Sequence, residues 1–196
     1  EVNAQRLQLR GILEPEMRNE GFFWDQDGQL KYALYLSFLG NYFYERRMIG
    51  ESVLMFGLSS TVDPSYYGSI SMQGMIHATL NREKDAEELL LRAIRMAPYR
   101  AEARNNLARL YMNQGRFKEA VSEIREVLRY HPRHPFAHLS LGLCYRELGE
   151  EEQFLHQMRT LLVLDATGEE GAEAARHLRE FQRAKRVEKA AGTALK

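Results

Sequence analysis

Apolar, small and aromatic positions return along this chain in a fixed order. An apolar residue, a small one and then an aromatic three places on recur as Leu39-Gly40 with Phe43, Leu107-Ala108 with Tyr111, and Leu141-Gly142 with Tyr145. Gly74 continues the series, with His77 at the aromatic place. Pro64, Pro98 and Pro132 form a second series at the same interval of 34 residues. A period of this length is one helix-turn-helix unit, whose two antiparallel helices bury their apolar faces only by stacking on neighbouring units. The pattern predicts an all-α, right-handed solenoid of four units, 33–66, 67–100, 101–134 and 135–168. Residues 1–32 precede it: Asn3 to Ile12 has helical spacing of Leu7, Leu9 and Ile12, and Gly21 to Gly28 reads as a loop whose Phe22, Phe23 and Trp24 need something to pack on. Residues 169–196 follow it. There Ala172, Ala175, Leu178 and Phe181 predict a helix from Glu169 to about Lys189, with an acidic start and a basic end that suit its dipole, and a frayed tail beyond.

The clearest unit, Ala101 to His134, carries Leu107, Ala108, Tyr111, Gly115, Ala120 and Pro132. Ala108 and Ala120 are small where two helices cross, Tyr111 fills the seam, Gly115 permits a tight turn and Pro132 stops the second helix. These residues at these places resemble the tetratricopeptide repeat family. The unit 135–168 keeps Leu141, Gly142, Tyr145 and Gly149 but has bulky Phe154 at a place that is small in the family, which predicts a second helix displaced from its partner. It ends in Asp165-Ala166-Thr167-Gly168, a turn able to cap the next helix. In 67–100, Gly74, Ala86, Ala93 and Pro98 are in place, and Asn81 replaces the turn glycine as a residue that tolerates the left-handed conformation. The unit 33–66 is the most divergent, with Arg47, Ser52 and Ser59 at places usually glycine or alanine.

Composition narrows the function classes. Lys plus Arg and Asp plus Glu number 27 each, so no net field draws the chain to nucleic acid or an anionic membrane. A lone cysteine, Cys144, makes no internal disulfide and suits a reducing compartment, hence the cytoplasm. A start at Glu1 also fits a processed chain, which would be periplasmic or membrane-anchored if an upstream lipidation signal had been removed. Apolar stretches such as Tyr32 to Phe38 fall far short of the roughly 18–20 residues that span a bilayer.

The resemblance implies that the first helices of successive units line a concave groove. On this chain the inward places carry Phe38, Asn41, Met72, Met75, Asn105, Asn106, Arg109, Met112, Leu139 and Leu143. Methionine-rich apolar positions suit an apolar or amphipathic partner segment, with Asn105, Asn106 and Arg109 fixing its polarity. Some family members grip a partner's terminal carboxylate with two asparagines and basic neighbours. Here Asn41 and Asn106 fall in units read as too far apart, and Ser71, Met75, Phe136 and Ser140 lack the charge for the task. Between Tyr42 and Ile94, Phe56, Asp63-Pro64, Gly74 and Ala86 are similar to the bacterial class II chaperones of type III secretion, which implies a cytoplasmic chaperone or adaptor. A pilotin-like assembly factor and a regulatory module of a larger protein are the alternatives, and Leu7, Leu9 and Ile12 could pair two copies.

Chemistry has little foothold. His131, His134 and His138 are close in sequence, but Pro132 and Pro135 interrupt the helix that would align them on a metal. Asp25, Asp27 and Gly28 lack the remaining ligands of a calcium loop, and no glycine-rich phosphate cradle or catalytic triad is present. The expectation is a non-enzymatic chain without cofactor, whose partner is a protein or peptide segment. The basic run Arg183, Lys185, Arg186 and Lys189 reads as a solvated helix end.

Overall fold

The computed structural model of the chain describes residues 26–194, and every regular element among them is helical. Four antiparallel pairs follow in order: α1 (Gln26–Glu45) with α2 (Ile49–Val62), α3 (Tyr67–Thr79) with α4 (Glu83–Met96), α5 (Ala101–Asn113) with α6 (Phe117–Tyr130), and α7 (Pro135–Glu147) with α8 (Glu151–Leu164). A ninth helix, α9 (Glu169–Ala194), packs on α8 and α7. The predicted helix Asn3 to Ile12, its apolar Leu7, Leu9 and Ile12, and the Phe22-Phe23-Trp24 segment lie outside the described residues. Gln26 to Gly28, read from sequence as loop, belong instead to α1. Burial of Tyr32, Ala33 and Leu36 one to two turns on carries the helix through Gly28 despite the cost of about 1 kcal/mol that glycine brings to a helix interior.

A close fit between a small residue and a large one repeats in each pair. A Cβ on Gly40 would lie 2.8 Å from the Phe56 ring, one on Gly74 would lie 2.7 Å from Leu90 Cγ, and one on Gly142 would collide with Met158. Ala108 and Ile124, both buried in the same core, hold the corresponding places in the third pair. Phe56, Leu90, Ile124 and Met158 are all fully buried, and they too stand 34 residues apart, a series that complements the small one. Close packing of this kind makes the core sensitive to a single methyl group. The turn inside each pair is equally regular: Arg47 (φ 60°), Asn81 (φ 57°), Gly115 (φ 72°) and Gly149 (φ 75°) all take the left-handed conformation. Arg47 does so without the freedom of glycine.

Polar contacts join successive pairs. Tyr111 donates from its hydroxyl to Glu87 at 2.8 Å, and Arg116 donates to Glu87 and to Glu119, each at 3.0 Å. The Arg116 guanidinium beside Glu87 holds that carboxyl below its ordinary range, while burial and then Glu87 push the Tyr111 phenol up to about 12. One pair later, Arg125 donates to the Tyr145 hydroxyl at 2.8 Å. In the first pair serines replace apolar contacts: Ser52 donates to the Gly40 carbonyl at 2.8 Å and Ser59 to the Ala33 carbonyl at 2.7 Å.

The last pair stays closed, contrary to the displacement that Phe154 suggests from sequence. Its ring is fully buried and lies 5.3 Å from that of Phe181 on α9. Asp165 accepts from the Gly171 amide at 3.1 Å and caps α9, as the Asp165-to-Gly168 turn predicts. Lys185 pairs with Glu151 at 2.7 Å and ties α9 to α8, so one member of the basic run is structural. The helix runs to Ala194, past the predicted end near Lys189. No helix among the described residues is long and apolar enough to cross a membrane.

Candidate partner-binding face

First helices approach one another across the boundary between the second and third pairs, α3 on α5, where α4 and α6 have no comparable packing. The stack therefore closes toward the first-helix layer, and that layer is the inner face.

On α1 an apolar row stands open to solvent. Leu30, Leu34 and Phe38 follow at four-residue spacing, so they share one side of the helix, and Phe38 is 66% exposed. Leu30 precedes Ala33, where the repeat register starts the first unit, so the register assigns it no face. Tyr42, the next in the row, is also exposed and carries the Arg46 guanidinium 3.6 Å from its ring centre.

Beside this row lies a pocket of about 170 Å³ between α1, α3 and α5. Ser37, Asn41, Tyr66, Tyr67, Gly68, Ser71, Met72, Glu102 and Asn106 line it. Gly68 is small because the Tyr66 hydroxyl occupies the space, 2.7 Å from where a Cβ would be. Asn106 donates to Ser71 Oγ at 3.2 Å and accepts from Arg109 at 3.2 Å, so both ends of its amide are engaged. Burial, and secondarily Glu102, push the Tyr67 phenol above its ordinary value and keep it neutral. Asn41 and Asn106, read from sequence as too far apart to act together, both line this one pocket, which α1, α3 and α5 share. A carboxylate grip is nonetheless disfavoured by Glu102 and by the prior commitments of Asn106.

The remaining predicted residues divide by depth. Met75 is only 8% exposed and packs with Phe56 and Ile76, and Leu139 is 5% exposed in the main core, so neither is an open anchor. Met72, Met112 and Leu143 are half-buried against the core and offer part of their surface. Asn105 is half-buried, with its side-chain oxygen buried and unpartnered, and Arg109 is exposed. Repeat register gives the helix face of each residue but not how far a neighbouring helix covers it. Tyr66 and Tyr67 escaped because they sit where the link enters α3, off the inward register.

The three histidines are engaged separately. His131 contacts the Tyr99 carbonyl at 2.9 Å, His134 accepts from the Ala137 amide to cap α7, and His138 contacts Gln157 and the Pro132 carbonyl. Cys144 is buried, and burial pushes its thiol up to about 12.

Residues 105–169 match the family model described as tetratricopeptide repeat. Over 85 residues the chain is 28% identical to anaphase-promoting complex subunit 3 of Dictyostelium discoideum; the match spans 43% of this chain and 9% of that protein. Among solved structures, the pilF product of Pseudomonas aeruginosa is similar with a TM-score of 0.69 and 19% identity over 81% of this chain and 74% of that one. A thermophilic tetratricopeptide protein of Thermus thermophilus is similar with a TM-score of 0.67 and 19% identity over 77% and 84% of the two chains. MamA follows at 0.64 and 16% identity over 80% and 84%. With the matched segment, the 34-residue period and the stacked pairs in agreement, the chain has the fold of a tetratricopeptide-repeat solenoid.

Proposed function

We propose that this chain is a non-catalytic module that binds a protein segment along its first-helix face. Stacked repeats present extended concave surfaces suited to other chains. The observation that carries this reading is the exposed row Leu30, Leu34 and Phe38 leading to the rim of a polar pocket. Large side chains in a row on one helix are favourably covered by an apolar or amphipathic segment. Phe38 is the principal anchor, Met72 extends the apolar surface, and Asn41, Asn106 and Arg109 offer polar contacts. Met112 and Leu143 contribute partial surface further along. A secretion chaperone, a pilus assembly factor and a regulatory module would all use such a face and differ in whose segment occupies it.

The test is selection of peptides from a displayed random library on the wild-type chain, followed by affinity measurement by fluorescence anisotropy. Phe38→Asp is expected to weaken the selected peptides by at least roughly tenfold, the value of burying one large apolar side chain, with helical content unchanged by circular dichroism. Val163→Asp, on the exposed side of α8, is expected to leave them bound. Peptides indifferent to Phe38→Asp but lost in Val163→Asp would move the site to the second-helix face.

A further inference from the structure

With a segment held along the first-helix face as proposed above, we infer that the pocket between α1, α3 and α5 receives a lysine side chain from it. At about 170 Å³ the pocket is smaller than the roughly 300–1,000 Å³ of drug-sized ligand sites and has room for one side chain. Glu102 is the one ionised side chain in its lining, and it forms no ion pair among the described residues. Every other polar liner is neutral. Ser37, Asn41, Tyr66, Tyr67 and Ser71 each present an oxygen able to accept, whereas one of the two donors of the Asn106 amide is already given to Ser71.

Acceptors spread over three helices, with one carboxylate among them, match an ammonium group whose three donors point in different directions. The pair of tyrosine rings, with centres 6.1 Å apart, adds aromatic faces that favour a cation. Arg100 already uses such a face, lying 5.8 Å from the Tyr67 ring, and Arg109 is held by Asn106; neither lines the pocket. An incoming carboxylate would meet the like charge of Glu102, with one of the two Asn106 donors already given to Ser71.

Nuclear magnetic resonance titration of the whole chain with N-acetyl-lysine methylamide, and separately with the glutamate and glutamine analogues, tests this directly. The lysine probe is expected to shift the backbone amides of residues 67–72 and 102–106, and Glu102→Gln to weaken it about 1.5- to fivefold, the range of a solvent-accessible ion pair. A glutamate probe that shifts the same amides as strongly overturns the inference. So does a lysine response unchanged by Glu102→Gln. Because the probes do not reach the α1 row, this assay can fail while Phe38→Asp still abolishes peptide binding, and the two proposals stand or fall separately.

Discussion

The four left-handed turn residues make a quantitative prediction with its own controls. A residue with a Cβ pays about 1–2 kcal/mol for this conformation. Replacing glycine by alanine also restricts the unfolded chain, which returns about 0.4–1 kcal/mol. No atom lies within 4 Å of a Cβ placed on Gly115 or Gly149, so no clash enlarges the difference. Gly115→Ala and Gly149→Ala are each expected to lose about 0.5–1 kcal/mol by this balance. Arg47, at φ 60°, is the mirror case: Arg47→Gly is expected to gain about 0.5 kcal/mol. Asn81→Gly should change less, since asparagine tolerates the conformation. Urea unfolding followed by circular dichroism reads each value, with an unchanged slope showing that the same surface unfolds. Alanine at 115 and 149 as stable as wild type, together with a loss for Arg47→Gly, would refute the reasoning.

Other outcomes follow from packing and titration. Leu90→Ala and Met158→Ala, each removing a fully buried side chain from beside a glycine, are expected to lose about 2–5 kcal/mol in the same assay, while exposed Val163→Ala should stay within about 0.5 kcal/mol. Cys144 is expected to ignore a thiol reagent at neutral pH until urea unfolds the chain; labelling at the unfolded rate without denaturant would contradict its burial. Burial and His131 hold the His134 imidazole below its usual value, so between that lowered value and about 6.5 the unfolded chain binds the extra proton and stability falls as pH is lowered. Glu87, lowered by Arg116, adds a second loss as pH drops through the carboxylate range. His134→Asn, which retains a capping side chain for α7, should flatten the first decline; an unchanged slope there would exclude His134 as its source.

The repeat was legible because every pair solves the same packing problem with the same residue types. Gly74 and Gly142 could be read as crossing points, and Asn81 as a left-handed turn, from their places alone. Their partners Leu90 and Met158 went unread, since a large apolar residue on a helix does not announce which hole it fills. The site was legible only by face. Asn41 and Asn106 lie 65 positions apart, and whether they meet depends on how far the stack bends, a property of all the first helices together. Met75 and Leu139 face inward in register yet are covered by neighbours that no local spacing specifies.

Because the pocket takes its walls from three consecutive pairs, it sets a rule for how this array can change length. Excising residues 67–100 would remove one whole period and leave every other small residue opposite its large one, so a shortened stack could still close. The pocket would vanish with it, since α3 supplies its middle wall. Adding or losing a unit beyond α6 would leave that wall intact. Variation in repeat number beyond α6 thus spares the pocket, whereas variation between α1 and α5 destroys it, which gives a uniform fold a fixed origin.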